Sequence, residues 1–294
     1  MKIIFRHFLF VLVCCALTFT PACKRHDKAG SADSGQKSTR YLTIKGSDTM
    51  VHLVSTWAEK FMQTSKGSEV SVTGGGSGTG IAALLNGTTD ICAASRSIQE
   101  KELNLARQKG LNPLEVVVAR DGIAVVVNPE NPVSELSVEQ IGKIFSGAYK
   151  RWSDVGGTDE PIIVLSRESS SGTFIFFQEH VLSKADYTPN ARFLPGTSAV
   201  IQAIETDKLA IGYVGLGFTV EAKDKVKALQ VKADNSGMAI SPSEETVKSG
   251  EYSIARPLYL YTNGEPSGLV KEFIDFCLST KGQEIVRETG YVPQ

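Results

Sequence analysis

Apolar residues recur along this chain with two alternating periods. Spacings of three and four in Met50, Leu53, Val54, Trp57, Ala58 and Phe61 predict an amphipathic helix, and a second helix starts with Ile81, Ala82, Leu84 and Leu85. Before each comes a short alternating run, 41–45 and 69–73, which reads as a strand. The alternation continues with a strand over 89–96, a helix carrying Leu103, Leu105 and Ala106, and a strand over 114–119. Arg120-Asp121-Gly122 breaks the pattern, 123–128 resumes as a strand, and Pro129 and Pro132 mark a crossing to a second lobe. There, Ser137-Val138-Glu139-Gln140 has capping-box spacing and opens a helix with Ile141, Ile144 and Phe145. Strands follow at 161–166, 210–214, 227–231 and 256–262, the last returning to the first lobe. Between them lie a helix with Phe174, Phe177, Val181 and Leu182 and another, capped by Thr197-Ser198, with Val200, Ile201 and Ile204. Helices at 268–278 and 280–288, parted at Ser279, close the chain. Such alternation over 41–294 predicts α/β layering in two lobes with mainly parallel pairing.

The first 40 residues follow a different pattern. Lys2 and Arg6 precede an apolar stretch from Phe8 to Leu17 and the small-residue region Thr20-Pro21-Ala22-Cys23, so residues 1–23 read as an export signal. The cysteine after small residues resembles a bacterial lipobox, with Thr20 where Leu is usual, and implies lipidation of Cys23. Residues 24–40 are polar and without periodicity, as a flexible tether would be. Beyond the signal, no stretch is long and apolar enough to span a bilayer. Loss of residues 1–22 removes two basic side chains and no acidic one, leaving 29 basic against 32 acidic, a net charge of −3. That balance gives no footprint for nucleic acid. Cys92 and Cys277 lie in apolar settings and read as buried free thiols, although an exported compartment also permits a disulfide between them. Outside the tether only His52 and His180 remain, and neither zinc-ligand spacing nor a Ser-His-Asp arrangement is legible.

Candidate chemistry centres on Gly74-Gly75-Gly76-Ser77-Gly78-Thr79-Gly80, placed between a strand and a helix start. Glycines allow a tight turn and close backbone approach, and the first N–H groups of a helix are unpaired and partly positive. A Walker loop would need a Lys after the last glycine, where Ile81 stands. A dinucleotide loop would need an acidic residue about twenty positions on, and Asp90 comes too early. The alternatives are an anion cradle or an ordinary strand-to-helix turn. Two further strand ends repeat the design, with Ser47-Asp48-Thr49 and with Ser171-Gly172-Thr173. Strand carboxyl ends of open α/β sheets share a crevice, so the three loops and Arg167 would offer many neutral donors and one bidentate cation to a compact oxyanion. The plain alternatives are helix caps at 47–49 and a surface ion pair for Arg167.

These residues resemble the phosphate-binding proteins of the Pst phosphate ABC transporter. Carrying the resemblance are Gly46-Ser47-Asp48-Thr49, Gly74 to Gly78, Asp90 with Ala94-Ser95-Arg96, Gly122 to Asn128, Arg167 to Thr173, Ala210 to Val214 and Gly290-Tyr291-Val292-Pro293. It spans nearly the whole body and implies a two-lobed, hinged type II periplasmic binding protein fold. Lobe 1 would be 41–120 with 254–294, and lobe 2 would be 121–253. The implied function is that of an extracytoplasmic lipoprotein, at the periplasm or cell surface, which captures inorganic phosphate and delivers it to ABC permease subunits. Neither an enzyme, a cofactor nor a metal is implied. The implied phosphate ligands are Ser47, Asp48, Thr49, Ser77 and Asp90 from lobe 1, and Arg167, Ser171, Gly172 and Thr173 from lobe 2. Asp48 fits such a site if its N–H faces the anion while its carboxylate turns outward or caps the helix. Arg96 would touch the ligand or brace Asp90 or its lobe. Asp90 would set specificity: an ionised carboxylate only accepts hydrogen bonds, and phosphate near neutral pH carries a proton that sulfate lacks. Other readings are an anchored phosphate sensor, a binder of molybdate, tungstate or arsenate, and a phosphatase using the same donors around a transition state.

Cys23→Ser is expected to release the exported protein from the membrane fraction without changing its ligand affinity, because the tether carries no binding chemistry. Intact-mass measurement of the wild-type N-terminal peptide checks the premise through a lipid-sized increment.

Overall fold

Strand and helix alternate from Arg40 onward in the computed structural model, which describes residues 39–294. The export signal, Cys23 and the tether up to residue 38 lie outside the described residues, while Arg40, expected in the tether, opens the first strand. The first part of the body comprises β1 (Arg40–Gly46), α1 (Val51–Thr64), β2 (Ser68–Thr73), α2 (Ser77–Leu85), β3 (Ile91–Ala94), α3 (Glu100–Gln108) and β4 (Pro113–Val127). Next come β5 (Glu135–Ser137), α4 (Val138–Ser146), β6 (Ile163–Arg167), α5 (Gly172–His180), β7 (Arg192–Leu194), α6 (Thr197–Thr206), β8 (Ala210–Gly215) and α7 (Leu216–Glu221). The chain ends with β9 (Lys227–Ala228), β10 (Gln230–Lys232), β11 (Ala239–Ile240), α8 (Glu244–Ser249), β12 (Ala255–Asn263), α9 (Gly268–Leu278) and α10 (Thr280–Glu288).

The helices form where the periodicity places them. Leu53, Val54, Trp57, Ala58 and Phe61 are the buried stripe of α1, and Ile141, Ile144 and Phe145 that of α4. The capping box is present: Gln140 N–H donates to Ser137 Oγ at 3.1 Å, and Ser137 N–H to Gln140 Oε1 at 2.9 Å. Ser279 separates the last two helices and caps α10 by accepting from Gly282 N–H. Cys92 and Cys277 are free and buried, and burial pushes both thiols above their ordinary pKa.

Pairing in the main sheet is mixed, not mainly parallel. Its order is β2-β1-β3-β12-β4-β8-β6-β7. β1, β2 and β3 are mutually parallel, as are β8, β6 and β7, but β3–β12, β12–β4 and β4–β8 are antiparallel. The cause is connectivity, since β4 leaves the first half of the molecule and β12 returns to it, so the two must run opposite ways. For the same reason, Arg120-Asp121-Gly122 does not interrupt β4: its residues pair with Pro257, Arg256 and Ala255 of β12.

The apolar core divides where these two strands cross. Val118 and Ala119 of β4 and Leu258 and Leu260 of β12 pack with Leu42, Trp57, Phe61 and Phe273. A few residues away, Ile123, Val125 and Ile254 pack with Phe145, Trp152, Phe177 and Tyr213. Each half therefore has its own core, joined through β4 and β12. Because β12 is antiparallel to both β3 and β4, the parallel block of the first half points along β4 toward the second half. The block containing β6 points back. Carboxyl ends of both blocks consequently meet at the seam.

Gly46, at the end of β1, is required there: its φ is +147°, and a Cβ on it would lie 2.0 Å from the Ala93 carbonyl oxygen. Gly46→Ala is expected to destabilise the fold by about 2–4 kcal/mol, because a fixed backbone atom has to move. Calorimetric melting should record a midpoint lower by roughly 5–10 °C.

Candidate functional site

The loops after β1, β2, β3 and β6 converge on the seam, and α2 and α5 begin there. Ser47, just beyond β1, is buried and donates from Oγ to Ser95 Oγ at 2.9 Å. Ser95, just beyond β3, donates its N–H to Ser77 Oγ at 3.0 Å, and the two hydroxyl oxygens are 3.3 Å apart. Gly172 approaches from the other half so closely that a Cβ on it would lie 2.3 Å from Ser77 Oγ and 2.7 Å from Ser95 Oγ. Only glycine fits. Thr49 Oγ1 and Thr173 Oγ1 face each other across the seam at 2.8 Å, and Gly78 N–H donates to the Ser170 carbonyl at 2.9 Å. Ser171 caps α5 by accepting from the N–H groups of Thr173 and Phe174, which leaves its own hydroxyl hydrogen to donate.

Arg167 ends β6 and is 2% exposed. Its Nη1 donates to Thr197 Oγ1 at 2.9 Å, and its Nη2 to the Pro195 carbonyl at 2.9 Å and to Asp48 Oδ2 at 2.8 Å. Asp48 comes from the opposite half, where its Oδ1 accepts Gly75 N–H at 2.8 Å. Burial pushes the guanidinium below its ordinary pKa, and the charge of Asp48 is the main influence holding it up. Arg167 Nε is buried and has no hydrogen-bond partner among the described residues. A buried N–H left unpaired is costly, and Arg256 Nη1, on the neighbouring buried guanidinium, is in the same position.

The seam thus gathers hydroxyls, two helix N-termini and the paired cation Arg167. Such a set binds a compact anion through converging donors. Neither histidine of the described residues joins it: His52 pairs with Glu221 at 3.1 Å, and His180 stacks on Phe176. Among the described residues, no group of three or more His, Cys, Asp or Glu could hold a metal ion.

Ser47, Asp48, Thr49, Ser77, Arg167, Ser171, Gly172 and Thr173 come together at the seam; Asp90 does not. It precedes β3 instead of following it, and so stands at the opposite edge of the parallel block. There its carboxylate is exposed and accepts from Thr43 N–H at 2.7 Å and Thr43 Oγ1 at 2.8 Å. The carboxylate in the seam is that of Asp48, which turns inward to Arg167 and Gly75 and neither points outward nor caps its helix. Arg96 braces its own lobe through a bidentate pair with Glu102, both contacts at 2.8 Å. Two residues were not expected. Ser95 stands at a strand's carboxyl end as Ser47 does, and that position is its signal. Thr197 positions Arg167 from 30 residues away, with no local signal; the cap residue of α6 is Gly196.

A family model described as a PBP superfamily domain matches residues 31–281. The chain is 34% identical over 278 residues to the phosphate-binding protein PstS of Staphylococcus haemolyticus, covering 92% of this chain and 87% of that protein. Against the phosphate-binding protein PstS of Pseudomonas aeruginosa the identity is 32% over 290 residues, covering 93% and 87%. A Clostridium perfringens substrate-binding protein with bound phosphate is similar in structure, with a TM-score of 0.78 at 30% identity, over 87% of this chain and 100% of that one. An ABC-type phosphate transport receptor from Vibrio cholerae gives a TM-score of 0.69 at 31% identity, over 86% and 100%.

Gly172→Ala is expected to force the two halves apart, because its methyl would overlap the Ser77 and Ser95 hydroxyls. Hydrogen exchange should then quicken at the Gly78 amide, which bonds across the seam, while amides inside α1 keep their protection.

Proposed function

The chain belongs to the PBP superfamily, and from that premise we propose that it captures inorganic phosphate outside the cytoplasm between two lobes and delivers it to an ABC permease. The observation that carries the reading is the carboxylate of Asp48, set among anion donors and paired across the seam with Arg167. A carboxylate repels an anion unless that anion brings a hydrogen to share. Phosphate does so near neutral pH and sulfate does not, so Asp48 would accept the phosphate O–H while Arg167 Nε and the hydroxyls of Thr49, Ser77, Ser171 and Thr173 donate to the other oxygens. Gly172 and Ser77, first residues of α5 and α2, add backbone N–H groups and the positive ends of two helix dipoles. Ser47 acts through Ser95, which orients Ser77.

Ligand contacts from both sides of the seam favour the closed arrangement, which is how capture couples to closure. We take lobe 1 as 41–120 with 254–294 and lobe 2 as 121–253; the partition of the cores on β4 and β12 supports that division. Lipidation at Cys23 would hold the protein at the membrane; among the described residues no helix is long and apolar enough to cross one.

Calorimetry with phosphate and sulfate on the detergent-solubilised full chain tests this. Phosphate is expected to bind at about micromolar or tighter, roughly 8 kcal/mol or more, with sulfate at least about 10³-fold weaker. Arg167→Ala should weaken phosphate by about 2–4 kcal/mol. Asp48→Asn, which adds a donor where only an acceptor stood, should retain phosphate and admit sulfate. Equal affinity of the wild type for both anions would overturn the role of Asp48.

A further inference from the structure

A second buried ion pair stands on the two strands that join the halves. Asp121 of β4 and Arg256 of β12 are direct partners in the antiparallel register, and both side chains are almost completely buried. Arg256 Nη2 donates to Asp121 Oδ2 at 2.9 Å, its Nε to the same oxygen at 3.3 Å, and Asp121 Oδ1 accepts Leu216 N–H at 3.0 Å. The guanidinium lies over the Phe176 ring, 5.5 Å from its centroid. Arg256 Nη2 also reaches out of the pair to donate to Thr173 Oγ1 at 2.9 Å. Thr173 Oγ1 is in turn 2.8 Å from Thr49 Oγ1 on the other side of the seam.

This arrangement turns one hydroxyl hydrogen away from Arg256. A guanidinium has donors only, so Thr173 Oγ1 must accept from Arg256, and the hydroxyl's single hydrogen must point elsewhere. The neighbour on that side is Thr49, and with it the cradle. A hydroxyl that accepts from a cation is also a stronger donor, because the two hydrogen bonds polarise one another. From this geometry we infer that Arg256, held by Asp121, is a positioning residue for anion capture: from the linking strands it sets the Thr173 hydroxyl as a donor toward the ligand. The role rests on the phosphate reading above. It gives the linking strands a direct connection to the site, two hydrogen bonds long.

A mutant cycle read by phosphate calorimetry on the full chain tests it, with wild type, Arg256→Gln, Thr173→Val and the double variant. Arg256→Gln is expected to weaken phosphate about tenfold when Thr173 is present and less than about twofold in the Thr173→Val background, because the hydroxyl being oriented is then gone. Arg256→Lys, which keeps a charged donor, should recover most of the loss. The same fold-change in both backgrounds would overturn the inference and leave Arg256 as a brace for the linking strands alone. Should ligand-free melting show Arg256→Gln unfolded, the cycle is run with Asp121→Asn combined with Arg256→Gln, which leaves no unpaired buried carboxylate, and the same criterion applies. Absence of phosphate heat in the wild type would overturn the phosphate reading together with this one, an outcome distinct from additivity.

Discussion

The seam depends on a charge that neither half can hold alone. Arg167 is nearly fully buried at the end of β6, and an unpaired guanidinium at such depth would cost more than the surrounding neutral contacts return. Its own half supplies Thr197 and the Pro195 carbonyl, both neutral; the compensating carboxylate, Asp48, comes from the other half. Closing the seam therefore completes an ion pair and opening it breaks one. The contacts beside it, Thr49 with Thr173 and Gly78 with Ser170, are neutral hydrogen bonds whose making and breaking costs less. Arg167 Nε, by contrast, is buried with no hydrogen-bond partner among the described residues.

Much of this site was legible because the relevant residues obey a local rule. Ser47, Ser77 and Ser171 each follow a strand and open or precede a helix, and their Ser/Thr/Gly context marks a loop where backbone must approach something closely. Asp90 satisfied the composition of such a site but not its geometry. It leads its strand, and in a parallel block the residue before a strand and the residue after it lie on opposite edges. The same strand offered Ser95 at the correct end. Asp48 was placed in the right loop with its side chain turned the wrong way, because the reason for an inward carboxylate is Arg167, 119 residues later in the chain.

The fold was legible to a similar depth. Amphipathic stripes such as Leu53 to Phe61 and Ile141 to Phe145 define helices through their own spacing, and they form as the spacing requires. Strands β5, β7 and β11 have two or three residues each and carry no alternation to read. The length of β4 was hidden for another reason. Arg120-Asp121-Gly122 has the composition of a turn, and only the return of β12 alongside it, with Arg256 opposite Asp121, makes an extended strand there favourable. Long-range pairing overrode a correct local signal.

The two buried ion pairs also constrain how an anion can be held. Arg167 with Asp48 and Arg256 with Asp121 are each close to neutral, and the two guanidinium groups feel one another, since Arg256 helps lower the pKa of Arg167. A site with two free cations would attract any oxyanion. Here the positive charges are matched by carboxylates, so on the phosphate reading attraction would come from oriented dipoles: the N–H groups at the starts of α2 and α5 and the hydroxyls around them. Dipoles of this kind act over short distances and in fixed directions. On the phosphate reading, discrimination would then fall to whichever hydrogen bonds the ligand must itself complete, and the carboxylate among the donors, Asp48, would demand a hydrogen in return.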